Sequence, residues 1–241
     1  MAELIIPNVW RLRLSMGYTN AYLLVADDGV TLVDSETKGQ QATILEAVSA
    51  TGRTPADLKH ILITHHHTDH TGSLASLVET TGAKAYVHPL DAPITRGDEP
   101  VAGPNPDVRV GRMLKPLLMR LQPSRMTPVA FEREVVDGDE LAIAGGIKVI
   151  HTPGHTAGHV SYFWPESGGV LFAGDAAGKL RDVGPPVGGL ASMFTEDPEQ
   201  AKESFRKLAG LEFDTVCMGH GGFLTGQAHL EFRRAVEKMA R

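Results

Sequence analysis

The stretch HILITHHHTDHTG, residues 60–72, concentrates ionisable side chains directly behind a short apolar run. The five that could bind a metal or move a proton are His65, His66, His67, Asp69 and His70. Imidazole nitrogens and carboxylate oxygens are natural ligands of a borderline divalent ion such as zinc. The spacing puts a pair of histidines, two positions apart, just past a strand and a neighbouring Asp-His pair within the next turn. The segment therefore predicts part of a metal site.

Three further candidate ligands also follow apolar, strand-like runs. His155 lies in a Pro-Gly turn after IKVIHT, Asp175 ends VLFAGD, and His220 ends FDTVCMGH. In layered α/β folds, functional side chains gather at one end of the strands, where the loops converge. We therefore expect these three side chains to meet those of residues 65–70, so that together they supply enough ligands for two ions.

The order of these motifs closely resembles that of the metallo-β-lactamase superfamily. The matching motifs are H-x-H-x-D-H at residues 65–70, TPGHTAGH around His155, GD at Asp175 and GH at His220. The resemblance covers nearly the whole chain, including the N-terminal strand that ends at Asp34. It implies an α/β fold, a four-layer αββα sandwich with two mixed β-sheets face to face and helices outside.

The resemblance also implies seven metal ligands in two sets. The first set comprises His65, His67 and His155. The second set comprises Asp69, His70 and His220. Asp175 would bridge the two ions. Zinc is the first expectation, although manganese or iron would also suit mixed nitrogen and oxygen ligands.

Two roles beyond direct metal binding follow from the same pattern. Asp69 is expected to be a catalytic residue as well as a ligand, orienting a hydroxide or carrying its proton. Asp34, at the end of VTLVD, is expected to support a ligand from outside by a hydrogen bond. His66 is expected to point away from the ions, and His159 to brace its turn rather than bind metal.

The activity implied by the resemblance is that of a binuclear metal-dependent hydrolase. Two ions that share a water lower its pKa from about 15.7 towards neutrality, and the bridging hydroxide would attack a small ester, thioester or lactone. Asp175 argues against a true β-lactamase, because that family usually lacks this carboxylate. Glyoxalase II and the lactonases share the ligand string. However, because only a short stretch follows His220, we expect the helical extension of the former to be missing, and residues 176–194 lack the tyrosine usual in the latter.

Two other classes of function remain as alternatives. A mononuclear-iron oxidoreductase of the persulfide dioxygenase type would hold one iron with two histidines and an aspartate, but its distinguishing sequences after Asp175 are not evident. A catalytically idle binding module is disfavoured by the complete ligand set.

Composition and charge narrow the expected partners. The chain has 241 residues, 42% of them apolar, and a net charge of −6, so nucleic acid is a poor partner. A single cysteine, Cys217, excludes an internal disulfide and fits a reducing compartment. We expect no signal peptide at the N-terminus, and no apolar run approaches the roughly 20 residues of a membrane span. We expect a cytoplasmic protein with a small-molecule substrate and no nucleic-acid or membrane partner; a homodimer is left open.

Strand and helix signals alternate along the chain and predict how the ligands are positioned. We expect a single domain over 1–241 with α/β halves of about 1–130 and 131–241. Strands are predicted over 60–64, 83–89 and 213–220, with a hairpin at Asp28-Gly29. Helices are predicted over 39–51, 72–82, 198–210 and 227–240.

Two segments depart from this alternation. Residues 91–130 hold seven of the fifteen prolines and an amphipathic run that Pro116 is expected to kink or break. We predict that this segment is an insertion that covers part of the fold. Residues 176–194 form a loop rich in glycine and proline that is expected to help shape a pocket.

Overall fold

The computed structural model describes residues 2–14, 19–179, 185–188 and 193–239. Its strands are β1 (Ala2–Ile6), β2 (Val9–Leu14), β3 (Thr19–Ala26), β4 (Gly29–Val33), β5 (Leu58–Leu62), β6 (Lys84–Val87), β7 (Arg133–Glu134), β8 (Glu140–Leu141), β9 (Ile147–His151), β10 (Val160–Trp164), β11 (Val170–Gly178), β12 (Val187–Gly188), β13 (Thr215–His220) and β14 (Phe223–Leu224). Its helices are α1 (Gln41–Ala50), α2 (Thr68–Thr71), α3 (Leu74–Thr81), α4 (Ala92–Thr95), α5 (Arg109–Leu121), α6 (Pro198–Ala209) and α7 (Ala228–Met239), and a 3₁₀ turn covers Pro55–Asp57.

The strands form one mixed sheet in the order β7-β6-β5-β4-β3-β13-β11-β10-β9-β8, with β1, β2, β12 and β14 attached beside this path. The two halves of the chain meet where β3 pairs with β13, and this pairing is limited to Thr19 and His220. The predicted α/β class with a mixed sheet is confirmed. This single pairing links the strands of the two halves into one hydrogen-bonded path.

Three buried apolar clusters determine how this sheet packs. The central cluster brings Leu62 of β5 together with Phe172 of β11, so strands from both halves contribute to one core. A second cluster packs α1 and α3 against the N-terminal half and contains Ile44. A third packs α6 and α7 against the C-terminal half, where the Phe205 and Phe232 rings stack at 4.7 Å. The helices therefore cover the sheet away from the central cluster.

Local chemistry explains why several elements begin where they do. The hairpin predicted at Asp28-Gly29 is confirmed: Ala26 pairs with Gly29, whose φ of +136° suits glycine. The α6 start is also confirmed, because Asp197 accepts from the backbone N–H groups of the second and third helical residues and Pro198 occupies the first position.

Two boundaries differ from the sequence prediction. The strand expected at 60–64 is β5, Leu58–Leu62, because its register is set by pairing with β4. The helix α5 runs through Pro116, so of the two expected effects, a kink or a break, the break does not occur. A proline inside a helix removes one backbone hydrogen bond and places its ring against the carbonyl four residues earlier, so α5 continues at a cost in stability.

The predicted 176–194 loop is only partly within the described residues, since 180–184 and 189–192 lie outside them. Its first residues continue β11 as far as Gly178, and Val187–Gly188 form β12 against it. In the described parts of the chain, no helix has the length and apolar character that crossing a bilayer requires.

Candidate metal centre

The seven predicted ligands lie together at or near the carboxyl ends of four strands, β5, β9, β11 and β13. Four follow β5 in the loop and short helix α2, one lies in the turn between β9 and β10, one lies in β11, and one ends β13. Asp175 was expected at a strand end, but β11 continues to Gly178 and has an irregular register around Gly174. Side chains from the two halves of the chain therefore meet where β11 and β13 run side by side.

The first set of ligands, His65, His67 and His155, brings three ring nitrogens together. His67 Nδ1 lies 3.0 Å from His65 Nε2 and 2.9 Å from His155 Nε2. Nitrogens on a tetrahedral zinc ion would be roughly 3.3 Å apart, given Zn–N distances of about 2.0–2.1 Å. The spacing of the three nitrogens is therefore close to that of a shared cation.

A hydrogen-bond chain determines which nitrogen of His65 faces this set. Thr64 Oγ1 donates to Asp34 Oδ2 at 2.8 Å, so it can only accept from His65 Nδ1 at 2.9 Å. His65 Nδ1 therefore carries the proton, and His65 Nε2 turns a lone pair towards His67. A hydrogen bond from outside that fixes the tautomer is typical of metal-binding histidines.

Burial keeps the first set neutral. It holds the pKa of His65 and of His67 well below the usual range, and neighbouring imidazoles add to the effect. Burial also lowers the pKa of His155 to about 3, although the Asp175 carboxylate opposes it. All three rings are therefore in the neutral form that binds metal at pH 7.

Asp175 touches both sets of ligands. Its Oδ2 lies 3.2 Å from His155 Nε2 in the first set and 3.2 Å from His220 Nε2 in the second. Its Oδ1 lies 3.5 Å from His70 Nε2. One buried carboxylate therefore occupies the position that a bridging ligand needs.

In the second set of ligands, Asp69, His70 and His220, the pKa values of the histidines are raised, whereas those of the first set are lowered. Burial disfavours charge on His70, but Asp175, Asp34 and Asp69 outweigh it and raise the pKa of His70 to about 10. Asp175 likewise outweighs burial at His220 and raises its pKa to about 9. The pKa of Asp175 lies well below its usual range despite burial, because His220 and His70 face it. The carboxylates of this half therefore favour positive charge at His70 and His220.

The donor atoms fit a divalent cation. Within the described residues, two buried atoms at the centre, His70 Nε2 and Asp175 Oδ1, have no hydrogen-bond partner. A buried polar atom without a partner costs about 1–3 kcal/mol. Two adjacent ones are therefore suited to contact a cation. The set of five imidazoles and two carboxylates combines the nitrogen and oxygen donors that suit zinc, manganese or iron.

Asp34 and His159 support the centre from outside. Asp34 Oδ2 lies 2.8 Å from His70 Nδ1, the supporting position that we expected for it. His159 Nε2 accepts from the Asp175 backbone N–H at 3.0 Å, and His159 Nδ1 contacts Thr152 Oγ1 at 2.8 Å. Burial lowers the pKa of His159 to about 4, so the ring is neutral and can accept this hydrogen bond. His159 braces the backbone, as expected, and in doing so holds Asp175.

Asp91 also positions ligands, and the sequence reasoning missed it. Asp91 Oδ2 accepts from the His66 backbone N–H at 2.9 Å and from Thr156 Oγ1 at 2.7 Å, while Oδ1 accepts from the Gly158 N–H at 2.8 Å. It therefore ties the loop of His65 and His67 to the turn of His155. The His66 ring lies against the same carboxylate, with Nδ1 3.2 Å from Oδ2, and its nitrogens belong to none of the grouped donor sets of the described residues. The signal that could have found Asp91 is its place just past β6, comparable to that of Asp34 past β4.

Replacing Asp91 by asparagine is expected to destabilise the fold by about 2 kcal/mol and to weaken metal binding roughly tenfold. The reason is that the groups that donate hydrogen bonds to the Asp91 carboxylate lose a charged acceptor. Burial raises the pKa of Asp91, but His66 and Thr156 outweigh it and hold this pKa below its usual range. A carboxyl group with a lowered folded-state pKa stabilises fully above its unfolded pKa of about 3.9 and loses that effect as pH falls through the folded value. Urea unfolding should therefore show a constant wild-type advantage from about pH 5 to 7 that shrinks below about pH 4.

Asp139→Asn is the matched control for this variant, because Asp139 also accepts from a backbone N–H and pairs with a charged side chain, that of Arg133, but belongs to none of the candidate ligand sets. It should leave metal affinity unchanged. A stability difference for Asp91→Asn that stays the same at acidic pH would contradict the assigned role of its charge.

Solvent reaches the centre on one side. His65, His70, His155 and Asp175 are buried, whereas the other three ligands are partly exposed. The Phe194 ring lies 5.9 Å from the ring of His67, one of the three partly exposed residues. A substrate would therefore approach past His67, Asp69 and His220.

Comparison with known proteins agrees with this geometry. The sequence profile of the Metallo-beta-lactamase superfamily matches residues 14–220. The "Probable metallo-hydrolase YflN" of Bacillus subtilis (strain 168) is 34% identical over 197 residues, which cover 76% of this chain and 70% of that protein. A "Hydroxyacylglutathione hydrolase" of Idiomarina loihiensis is 33% identical over 184 residues, which cover 75% of this chain and 53% of that protein. The chain thus spans about half the length of that hydrolase.

Solved structures show the same fold. BJP-1, a subclass B3 metallo-beta-lactamase of Bradyrhizobium japonicum, superposes with a TM-score of 0.71 at 20% identity over 99% of this chain and 91% of that chain. The metallo-beta-lactamase family protein TTHA1429 of Thermus thermophilus gives a TM-score of 0.69 at 25% identity over 98% of this chain and 80% of that chain.

Proposed function

Because the chain belongs to the metallo-β-lactamase superfamily, we propose that it is a binuclear metal-dependent hydrolase acting on a small ester, thioester or lactone. The observation that carries this proposal is the position of Asp175. Its Oδ2 lies 3.2 Å from a histidine of each ligand set, His155 and His220, so one carboxylate can serve two ions at once.

Each ligand set has a role in this proposal. When bound, two divalent ions, zinc first and manganese or iron as alternatives, would acidify a shared water and polarise the substrate carbonyl. His65, His67 and His155 would hold one ion. Asp69, His70 and His220 would hold the other. Asp175 would contact both.

The chain's own groups set the geometry for hydrolysis. Asp34 and Thr64 fix the rings of His70 and His65, so that their Nε2 atoms face the centre. Asp69 combines a position 3.4 Å from His220 Nε2 with a side chain that is 25% exposed on the open side. We therefore assign Asp69 to orient the attacking water and take its proton, since a carboxylate at the solvent boundary can pass that proton on.

Similarity to a hydroxyacylglutathione hydrolase supports a thioester or related acyl substrate. The chain spans about half of that relative, so glutathione recognition is not carried over. A complete second ligand set favours the hydrolase over the mononuclear-iron oxidoreductase, which needs only one set. For the fold, we propose the four-layer αββα arrangement of the superfamily, which is supported by the central cluster shared by both halves and by the helices outside it.

The test is metal analysis of protein purified without added metal, followed by a screen of thioesters, lactones and phosphodiesters. We expect close to two equivalents of divalent metal per chain. Hydrolysis of a thioester or lactone should be lost on chelation and restored by zinc or manganese. One iron per chain, with oxygen uptake on glutathione persulfide and no hydrolysis, would instead establish the oxidoreductase.

A further inference from the structure

The outer face of α5 carries an exposed apolar stripe that the metal chemistry does not use. Its members, Met113, Leu117 and Leu121, are four residues apart and are 72%, 57% and 76% exposed. Side chains spaced by four lie on one face of a helix. Of the seven large apolar side chains exposed in the described parts of the chain, three belong to this α5 stripe. Grouped apolar exposure of this kind marks a contact surface.

The same helix is strongly basic within an acidic protein. It carries four basic residues, Arg109, Arg112, Lys115 and Arg120, and no acidic residue, whereas the chain has a net charge of −6. All four are exposed, and none forms an ion pair with an acidic side chain in the described ranges. An apolar stripe flanked by unneutralised cations is the pattern of a helix that lies in the plane of a lipid surface.

We propose that α5 docks this protein on an anionic lipid bilayer. The α5 stripe enters the headgroup region, and the four basic side chains meet the lipid phosphates. The sequence expectation of no membrane partner rested on the lack of a spanning segment, which does not bear on a helix lying along the surface. This docking goes beyond the proposed hydrolysis and does not depend on it.

Charge and shape favour a lipid surface over another protein copy. In a symmetric dimer the same face meets itself, so the cations of one α5 would lie against those of the other. Met113 and Leu121 leave about three quarters of their surface exposed, which shows that they project from the body and do not line a groove. Projecting apolar side chains can insert between lipid headgroups without a matching pocket.

The α5 surface lies beside the open side of the metal centre. Before the helix, the Asn105 backbone N–H donates to Met193 O at 2.7 Å and its side chain donates to Thr195 O at 2.8 Å. At the helix start, a Cβ atom on Gly111 would lie 3.2 Å from Met193 Cβ. Phe194, between these contacts, faces His67. A docked α5 would thus hold the mouth of the centre near the bilayer.

Co-sedimentation of the full chain with vesicles tests the docking. We expect binding to phosphatidylcholine vesicles containing phosphatidylglycerol to exceed binding to pure phosphatidylcholine vesicles at least about tenfold, and to weaken at high salt. The double variant Leu117→Ser with Leu121→Ser should lose at least about tenfold in vesicle binding. Both side chains are exposed, so circular dichroism and thermal unfolding should match wild type.

The matched control is Leu4→Ser with Leu90→Ser, two leucines that are 54% and 59% exposed outside α5. This control should bind vesicles like wild type. Equal binding by the α5 variant and wild type would overturn the proposal. Absence of binding to either vesicle would also overturn it. In that case, a dimer in light scattering that the α5 variant converts to a monomer would assign the stripe to a contact between copies, and a monomer throughout would leave the stripe without a partner.

Discussion

Asp175→Asn is expected to reduce bound metal from about two equivalents to at most one and to lower turnover about a hundredfold or more. Asparagine keeps the size of the side chain but removes its charge and replaces one oxygen by an amide nitrogen. Asp175 Oδ2 lies 3.2 Å from both His155 Nε2 and His220 Nε2, so losing its charge affects both ligand sets at once. Loss of one ion should therefore accompany the loss of activity.

The measurement for Asp175→Asn is metal content by mass spectrometry alongside hydrolysis of the best substrate from the screen. Asp137→Asn is the control, since Asp137 accepts from the His151 backbone N–H and from Lys207 away from the centre. It should keep two equivalents of metal and wild-type turnover. Full activity of Asp175→Asn with two ions retained would refute the bridging assignment.

Gly219→Ala is expected to empty the centre without unfolding the protein. A Cβ atom at this position would overlap Asp175 Oδ1 and would lie 2.9 Å from His70 Cε1. Asp175 also contacts His155 and His220, and His70 is held by a hydrogen bond to Asp34. Moving either side chain aside would therefore break these contacts. We expect a destabilisation of about 1–3 kcal/mol from overpacking, metal content below one equivalent, and turnover reduced at least about a hundredfold.

Gly210→Ala is the matched control for Gly219→Ala. Its nearest neighbouring atom would be 3.3 Å from the added Cβ, and its φ of −77° suits alanine. Metal content and turnover should stay at wild-type values in this control. Retention of two ions and full turnover in Gly219→Ala would show that the ligands do not need this close approach of the backbone.

Local chemistry made some elements predictable, and long-range pairing decided others. The α6 start follows from Asp197 and Pro198 alone, because capping involves neighbours in sequence. The bounds of β5 depend on its register with β4, a strand some thirty residues earlier, so the prediction was off by two residues. Pro116 lies inside α5 without ending it, although proline disfavours a helix interior.

The sequence by itself determined which side chains are available for metal chemistry. Residue type and position behind apolar strands singled out His65, His67, His155 and Asp175 among others, and the order of the motifs indicated the family. These features are local, since each candidate ligand lies in a strand or within eight residues of the end of one. The prediction of their roles as ligands awaits metal analysis.

Only the tertiary structure decided how those side chains are held. The contacts of Asp91 to His66 and Gly158 join residues 25 and 67 positions apart, and the Asp34–His70 contact spans 36. Such hydrogen bonds exist only once strand register and packing have placed distant loops within 3 Å of each other. The exposed face of α5 is also a tertiary property, because the same amphipathic pattern would fit a helix packed on the core.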